Sequence, residues 1–140
     1  MKAGDAVTGA QVSYYFSKTL QLPFEEAVAR TREALAAEGF GVITEIDIAK
    51  TLKAKLGEDF RPYMILGACN PRLAREALQL EDKVGTMLPC NVVVQQAGAG
   101  GIEVAAIDPE AYMQAIDNPD LKQKARAVGE KLKAAIDRIA

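Results

Sequence analysis

Histidine is absent from this sequence of 140 residues, and its absence limits the chemistry more than any other compositional feature. Histidine is the side chain most often used as a general base near neutral pH, and it is the commonest metal ligand. Ser-His and Cys-His catalysis are therefore excluded within one chain. A zinc site would have to combine two cysteines with carboxylates, which is an uncommon ligand set. We therefore expect no metal and no cofactor, and we favour a protein that is not an enzyme.

An excess of charge of one sign is also missing, as are long apolar runs. The 17 basic and 19 acidic residues give a formal net charge of −2. The sequence shows no strongly basic face, so we do not expect nucleic acid as a partner. No segment approaches the length of a membrane span, and the N-terminal MKAGDAVTGAQVSYYF lacks the apolar run of a signal peptide. We expect a cytoplasmic protein without a membrane partner, in a compartment that keeps thiols reduced.

The hydrophobic pattern of the sequence predicts strands and helices that alternate along the chain. Strands are predicted at 11–17, 40–48, 62–69, 91–96 and 102–107, and helices follow Pro23, Asp47, Asn70, Asp108 and Asn118. The stretch AGAGG at 97–101 predicts a hairpin turn between the last two strands. Gly39 and Gly57 predict the ends of the first two helices. Alternation in the second strand predicts one face formed by Phe40, Val42, Thr44, Ile46 and Ile48. The last helix is predicted to carry an apolar stripe of Leu121, Ala125, Val128, Leu132 and Ile136. These elements predict an α+β fold, a mixed, largely antiparallel sheet covered by helices and ending in a long C-terminal helix. The expected organisation is a flexible N-terminal arm at 1–10 and a single compact domain at 11–140.

The strands MILGAC and NVVV are apolar on both faces, which is unusual for a sheet with one face in water. Helices of the same chain can cover one face. The other face needs further helices or a second subunit, so we expect a homodimer.

Three Asx-Pro pairs precede helical patterns: Asn70-Pro71, Asp108-Pro109 and Asn118-Pro119. An Asn or Asp side chain accepts backbone N–H groups of the first helical turn, and proline fits the first helical position because no N–H is needed there. Helix capping is therefore the simplest role for Asn70 and Pro71.

The only two cysteines lie in similar corners, GACNP at 67–71 and LPCNV at 88–92. Cys69 ends a strand just before a helix, where the partial positive charge of the helix start favours a thiolate, so it is a candidate reactive or ligand-contacting residue. A buried cysteine would instead act as a small apolar side chain. Cys90 shares a strand face with Val92 and Val94, which favours the core.

Topology decides whether the two thiols can meet. A parallel crossover would place Cys69 and Cys90 roughly 20 Å apart, whereas the segment EDKVGTM could return the chain to the first end of the sheet. A permanent disulfide is disfavoured by the compartment, and a transient one stays possible.

Other polar candidates carry weaker signals. Glu45 and Asp47 lie on one strand face and could act as a carboxylate pair, although a solvated strand edge is the simpler interpretation. Arg61, Tyr63 and Tyr112 could each contact a ligand, but nothing in their spacing singles them out.

The run GFGVITEIDIAKTLKAKLGEDFRPYMILGACNP, with LPCNVVV and AIDPEAY after it, resembles the domain-of-unknown-function 302 family. The resemblance implies a compact α+β domain with an antiparallel-rich sheet, a homodimer, and no established activity. The family motif falls here on Cys69, Asn70, Pro71, Pro89, Cys90 and Asn91. We expect these residues to form the site of a homodimeric small-ligand-binding or regulatory module. The alternative is a thiol-dependent redox or sulfur-handling protein that uses Cys69 with Cys90.

Overall fold

The computed structural model describes residues 13–140. The predicted arm at 1–10 and the first two residues of the first predicted strand lie outside the described residues. The strands are β1 (Tyr15–Leu20), β2 (Gly41–Asp47), β3 (Tyr63–Cys69), β4 (Cys90–Gln96) and β5 (Ile102–Ile107). The helices are α1 (Phe24–Ala37), α2 (Ile48–Leu56), α3 (Pro71–Leu80), α4 (Pro109–Tyr112) and α5 (Pro119–Arg138), with 3₁₀ turns at Asp82–Met87 and Met113–Ala115.

The five strands form one open sheet in the order β1-β5-β4-β3-β2, and all four pairings are antiparallel. This confirms the predicted α+β class, the single compact domain and the long C-terminal helix. The first strand lies further along the chain than predicted. It continues to Leu20 because this side chain is buried opposite Ile102, its partner on β5.

One face of the sheet is covered by helices α1 and α5, which also pack against each other. The sheet contributes Val92, Val94 and Val104 to this core, all fully buried. From α5, Leu132 and Ile136 fill the same core, as their spacing in the sequence predicted. A second cluster under α3 and the start of α5 includes Val84, Met113 and Leu121.

The predicted helix ends are confirmed. Gly39 and Gly57 have φ of 88° and 69°, the left-handed conformation that glycine adopts without a steric penalty. The side-chain oxygens of Asn70, Asp108 and Asn118 accept the backbone N–H groups of Leu73, Glu110 and Leu121 at 3.2, 3.1 and 3.1 Å. Each Asx-Pro pair therefore starts a helix.

Strand β2 departs from the predicted alternation. A bulge between Val42 and Thr44 changes the face on which later residues lie, because Val42 pairs with Ala68 whereas Thr44 pairs with Gly67. The prediction that Val42, Thr44 and Ile46 share one face is therefore wrong, since the extra residue shifts the period.

The segment from β2 through α2 is the least covered part of the fold. No residue between 41 and 62 is buried, although α2 contacts both β2 and β3. Ile43 and Leu56 are 63% and 62% exposed. Among residues 13–140, no helix has the length and apolar character needed to cross a bilayer.

Candidate functional site

The two cysteine corners lie side by side at one end of the sheet. Strands β3 and β4 are antiparallel neighbours, and Ala68 is the direct partner of Cys90. The 3₁₀ turn at Asp82–Met87 lies in the connection that returns the chain after α3. Of the two topologies that the sequence left open, the one that brings the corners together is the correct one. Both cysteines are free thiols.

The corners enclose a small apolar cavity of about 40 Å³, which we call the corner cavity. Cys69, Asn70, Pro89 and Cys90 all line it. Two of the six predicted site residues do not, because Pro71 is exposed at the start of α3 and Asn91 lines a different groove. A volume of 40 Å³ holds one or two water molecules and is too small for a metabolite.

The two cysteines nevertheless differ in burial. Cys90 lies with Val92 and Val94 on the helix-covered face and is 5% exposed. Cys69 is half-buried at the end of β3 and lines the corner cavity together with Cys90. The expected packing role of Cys90 is therefore confirmed, and Cys69 is the accessible thiol of the pair.

Tyr112 supplies the main polar contact of Cys90. Its hydroxyl is hydrogen-bonded to the Cys90 thiol and also donates to the carbonyl oxygen of Met87 at 3.0 Å. Burial raises the pKa of Cys90 to about 11, and the hydrogen bond with Tyr112 partly opposes this rise. Burial likewise raises the pKa of Tyr112 well above its ordinary value. Cys90 is therefore a neutral thiol at physiological pH.

Close packing explains why glycine lies between the corners. A Cβ at Gly67 would come within 2.1 Å of Thr44 Oγ1 and 2.7 Å of Pro89 Cγ. Pro89 thus lies over Gly67, and the Leu88–Pro89 peptide bond is cis. Pro89 has a packing role in addition to lining the corner cavity.

A much larger concavity, which we call the sheet groove, runs over the face opposite α1 and α5. Its volume is about 740 Å³. The floor consists of alternate residues of the β4–β5 hairpin: Asn91, Val93, Gln95, Glu103, Ala105 and Ile107. Tyr14 and Tyr15 stand at the β1 side, and Arg61 and Tyr63 stand at the β3 side.

A chain of hydrogen bonds crosses one end of the sheet groove. Arg61 Nε donates to Gln95 Oε1 at 3.0 Å, and Gln95 Nε2 donates to Glu103 Oε1 at 3.1 Å. The guanidinium carbon of Arg61 lies 4.4 Å from the ring centre of Phe60 and 5.5 Å from that of Tyr63. The groove therefore combines aromatic walls, a floor of alternating apolar and polar side chains, and an exposed cation hydrogen-bonded to that floor.

Comparison with known proteins identifies the family of this chain. The sequence profile of "Domain of unknown function DUF302" matches residues 16–139. This chain belongs to the DUF302 family. A solved relative, described as "Crystal structure of uncharacterized conserved protein DUF302 from Bacillus stearothermophilus", is 31% identical with a TM-score of 0.86, over 92% of this chain and 100% of that one. No curated protein matches the chain.

Membership of DUF302 confirms the resemblance recognised from the sequence and the α+β fold that it implied. Neither the family name nor the description of the solved relative states an activity, so the function has to be argued from the geometry of this chain.

The carboxylate pair suggested by β2 does not form in this DUF302 chain. Glu45 makes an ion pair with Arg32, and Asp47 caps α2 by accepting the N–H of Lys50 at 2.9 Å. Within residues 13–140, no group of three or more cysteine and carboxylate side chains is arranged to hold a metal ion.

Sequence reasoning identified Arg61 and Tyr63 only as unsupported possibilities and did not mention Gln95 or Glu103 as site residues. The signal that could have found them is the polar alternation within the hairpin, in which Gln95 and Glu103 interrupt Val93 and Ala105 on one face. Linking these residues to Arg61 required the strand order.

Proposed function

We propose that this DUF302 protein is a homodimeric module that binds a small organic ligand in the sheet groove. The observation that carries the proposal is the groove itself. Its 740 Å³ lies within the roughly 300–1,000 Å³ typical of ligand sites, whereas the corner cavity holds only 40 Å³. We therefore place the ligand over β4 and β5 and give the cysteine corners a supporting role.

The lining of the sheet groove supports this placement. Ligand sites combine apolar and aromatic surface with a few positioned polar groups. Val93 and Ala105 are direct partners that provide a flat apolar floor, and Tyr63 provides an aromatic wall. Gln95 is held in one orientation by its two hydrogen bonds, so its amide is already ordered before a ligand arrives. Asn91, the predicted site residue that lines this groove, is an exposed donor and acceptor at its other end.

The homodimer is supported by the exposed residues of β2 and α2. A nine-residue helix is marginal in water on its own, and most helical stability in proteins comes from burying an apolar face. Helix α2 has Leu52 and Leu56 on such a stripe, yet it buries no residue within one chain. A second copy that covers Ile43 and Leu56 would supply the missing burial. This contact lies at the β2 edge, three strands away from β5, so it leaves the groove floor open.

Sedimentation velocity tests the dimer. We expect the wild-type protein to sediment as a dimer at micromolar concentration and the Ile43→Glu/Leu56→Glu variant to sediment as a folded monomer. Leu78→Glu is the matched control, because Leu78 is 44% exposed on α3, outside the proposed interface. A wild-type protein that remains monomeric at tens of micromolar would remove the homodimer from the proposal.

Ligand binding is tested by following methyl NMR signals of Val93 and Ala105 while small aromatic and aliphatic compounds are added. We expect a subset to shift the Val93 and Ala105 signals in the wild type and not to shift the Val93 signals in Ala105→Phe, in which the added ring fills the floor. Ala36→Phe is the control, because Ala36 is exposed on α1 outside the groove. If the compounds that bind shift both variants equally, the ligand does not occupy the groove.

A thiol-dependent redox or sulfur-handling function is the second candidate. The observation that favours it is the position of Cys69 and Cys90 at the same end of adjacent strands, both lining the corner cavity. Cys69 would be the nucleophile, since it is the accessible thiol. The neutral, buried state of Cys90 makes it a poor resolving thiol, and this places the thiol function second. Free thiols of this kind would suit a reducing cytoplasm.

A further inference from the structure

We infer that the sheet groove selects planar aromatic carboxylates, with the carboxylate on Arg61 and the ring over Val93 and Ala105. The inference rests on the proposed function and adds the chemical class of the ligand. It draws on the charge and orientation of one side chain and on the shape of the floor beside it.

Arg61 has an unneutralised charge. Arg30, Arg32, Arg126 and Arg138 each form an ion pair with a carboxylate. Arg72 and Arg75 form none among residues 13–140, but they lie on α3 and do not line the groove. Arg61 has no such partner in the part of the chain that the structure describes, and it approaches Glu103 only through the intervening amide of Gln95. A cation at the wall of a groove without a carboxylate of its own favours an anionic ligand.

The orientation of the guanidinium favours a flat, two-oxygen anion. Its Nε is committed to Gln95 Oε1, and its carbon lies over the rings of Phe60 and Tyr63. Neither of its Nη groups donates to a residue in the range 13–140. The edge formed by these two groups presents parallel donors at the spacing of a carboxylate, which is the geometry of a bidentate pair.

The floor favours an aromatic ring next to that anion. Val93 and Ala105 are opposed on neighbouring strands, and alanine leaves more depth than the residues around it. Tyr63 and Tyr15 line the groove diagonally from this pair, because Tyr63 is opposite Gln95 and Tyr15 is opposite Ile107. A flat ring lying on Val93 and Ala105 can meet these tyrosines edge to face, which adds to the burial of apolar area.

The negative charge of Glu103 provides a second check on anion binding. Its carboxylate accepts from Gln95 Nε2 and shares the groove with the proposed anion, so it opposes anion binding. Replacing it by glutamine keeps an acceptor for Gln95 and removes the negative charge. Anion affinity should therefore change in opposite directions in variants of Arg61 and Glu103.

The experiment uses three compounds of nearly the same shape: 2-naphthoate, neutral 2-naphthamide and cationic 2-naphthylmethylamine. Dissociation constants are measured by methyl NMR titration on the full chain in the wild type, Arg61→Gln, Arg61→Lys and Glu103→Gln. We expect the wild type to bind naphthoate most tightly. Arg61→Gln should weaken naphthoate about tenfold and naphthamide hardly at all, because one charge-assisted pair is removed. Arg61→Lys should restore only part of this loss, and Glu103→Gln should tighten naphthoate.

The outcomes distinguish failure of the proposed ligand class from failure of the groove as a ligand site. If naphthamide or naphthylmethylamine binds the groove as tightly as naphthoate, and Arg61→Gln makes no difference, the ligand class is overturned while the groove remains a ligand site. If none of the three compounds shifts the Val93 and Ala105 signals, the aromatic carboxylate class is likewise overturned. If in addition no compound of the broader set binds there, the proposed function fails as well. Circular dichroism of each variant confirms that the fold is retained in every comparison.

Discussion

The hydroxyl of Tyr112 is hydrogen-bonded to the thiol of Cys90 while it donates its own proton to the carbonyl oxygen of Met87, 3.0 Å away. The contact with Tyr112 lowers the pKa of Cys90, but burial raises it by more, so the thiol stays protonated. The contact joins α4 to the chain that enters β4. It identifies Cys90 as part of the scaffold of the corner, and it separates the two cysteines chemically although they are neighbours in the sheet.

Alkylation rates should separate the two thiols. We expect Cys90 in the Cys69→Ala variant to react with iodoacetamide at least ten times more slowly at pH 8 than Cys69 in the Cys90→Ala variant, because a thiol of pKa about 11 is on the order of 0.1% ionised at that pH and is also buried. In denaturant the two rates should become equal, which is the control for the reagent. A folded protein in which Cys69 resists labelling as fully as Cys90 would eliminate the thiol-dependent function.

Tyr112→Phe should raise the pKa of Cys90 further. The hydroxyl can turn its proton toward the sulfur when the thiol ionises, and its loss removes this stabilisation of the thiolate. The variant should also lose about 1 kcal/mol of unfolding free energy, because the Met87 carbonyl loses its donor. The measurements are the pH profile of Cys90 alkylation and urea denaturation, with Tyr14→Phe at an exposed tyrosine as the control. An unchanged pH profile would contradict the hydrogen bond.

The raised pKa of Cys90 also predicts a decrease in stability at alkaline pH. Folding favours the protonated thiol, so its contribution is fully present below the unfolded-state pKa near 9 and is lost as pH rises through the folded-state pKa of about 11. Between pH 9 and 11, the unfolding free energy of the wild type should therefore fall by on the order of 2 kcal/mol more than that of Cys90→Ala. Parallel curves for the two proteins over this range would show that burial does not disfavour the thiolate.

Local signals predicted the ends of the elements well, because the physical cause of each end lies within a few residues. The caps at Asn70, Asp108 and Asn118, the left-handed Gly57 and the turn at 97–101 all follow from short-range sterics and hydrogen bonds. The C-terminal helix and its buried stripe follow from a regular period that continues over five turns.

The sheet groove could not be predicted in the same way. Arg61, Gln95 and Glu103 come from three separate segments, and only the order β5-β4-β3 places them in one chain of hydrogen bonds. The bulge in β2 escaped prediction for a related reason. The bulge is defined by the pairing of Thr44 with Gly67 on β3. The sequence of β2 alone does not indicate this pairing.

Gly67→Ala should destabilise the protein by about 1–3 kcal/mol, because its new Cβ would overlap Thr44 Oγ1 and Pro89 Cγ. Gly41→Ala is the matched control in the neighbouring strand: a Cβ there meets no atom within 4 Å, so its effect should be close to zero. Thr44→Ala should recover part of the loss when it is combined with Gly67→Ala, since it removes the nearer of the two atoms. The measurement is thermal unfolding of the wild type and these three variants. Equal melting temperatures for Gly67→Ala and Gly41→Ala would show that the corner is loosely packed.

Substitutions at Asn70 test whether this motif residue does more than cap α3. Asn70→Ala should cost about 1 kcal/mol of unfolding free energy, because the N–H of Leu73 loses its acceptor. Asn118→Ala should cost more, about 2 kcal/mol, since Asn118 also donates to the carbonyl oxygen of Leu80 at 3.2 Å. Asn70→Asp keeps the acceptor and should be nearly as stable as the wild type in urea denaturation. If Asn70→Asp instead loses stability as Asn70→Ala does, the amide nitrogen of Asn70 has a role that capping does not explain, and the corner would again be a candidate for direct ligand contact.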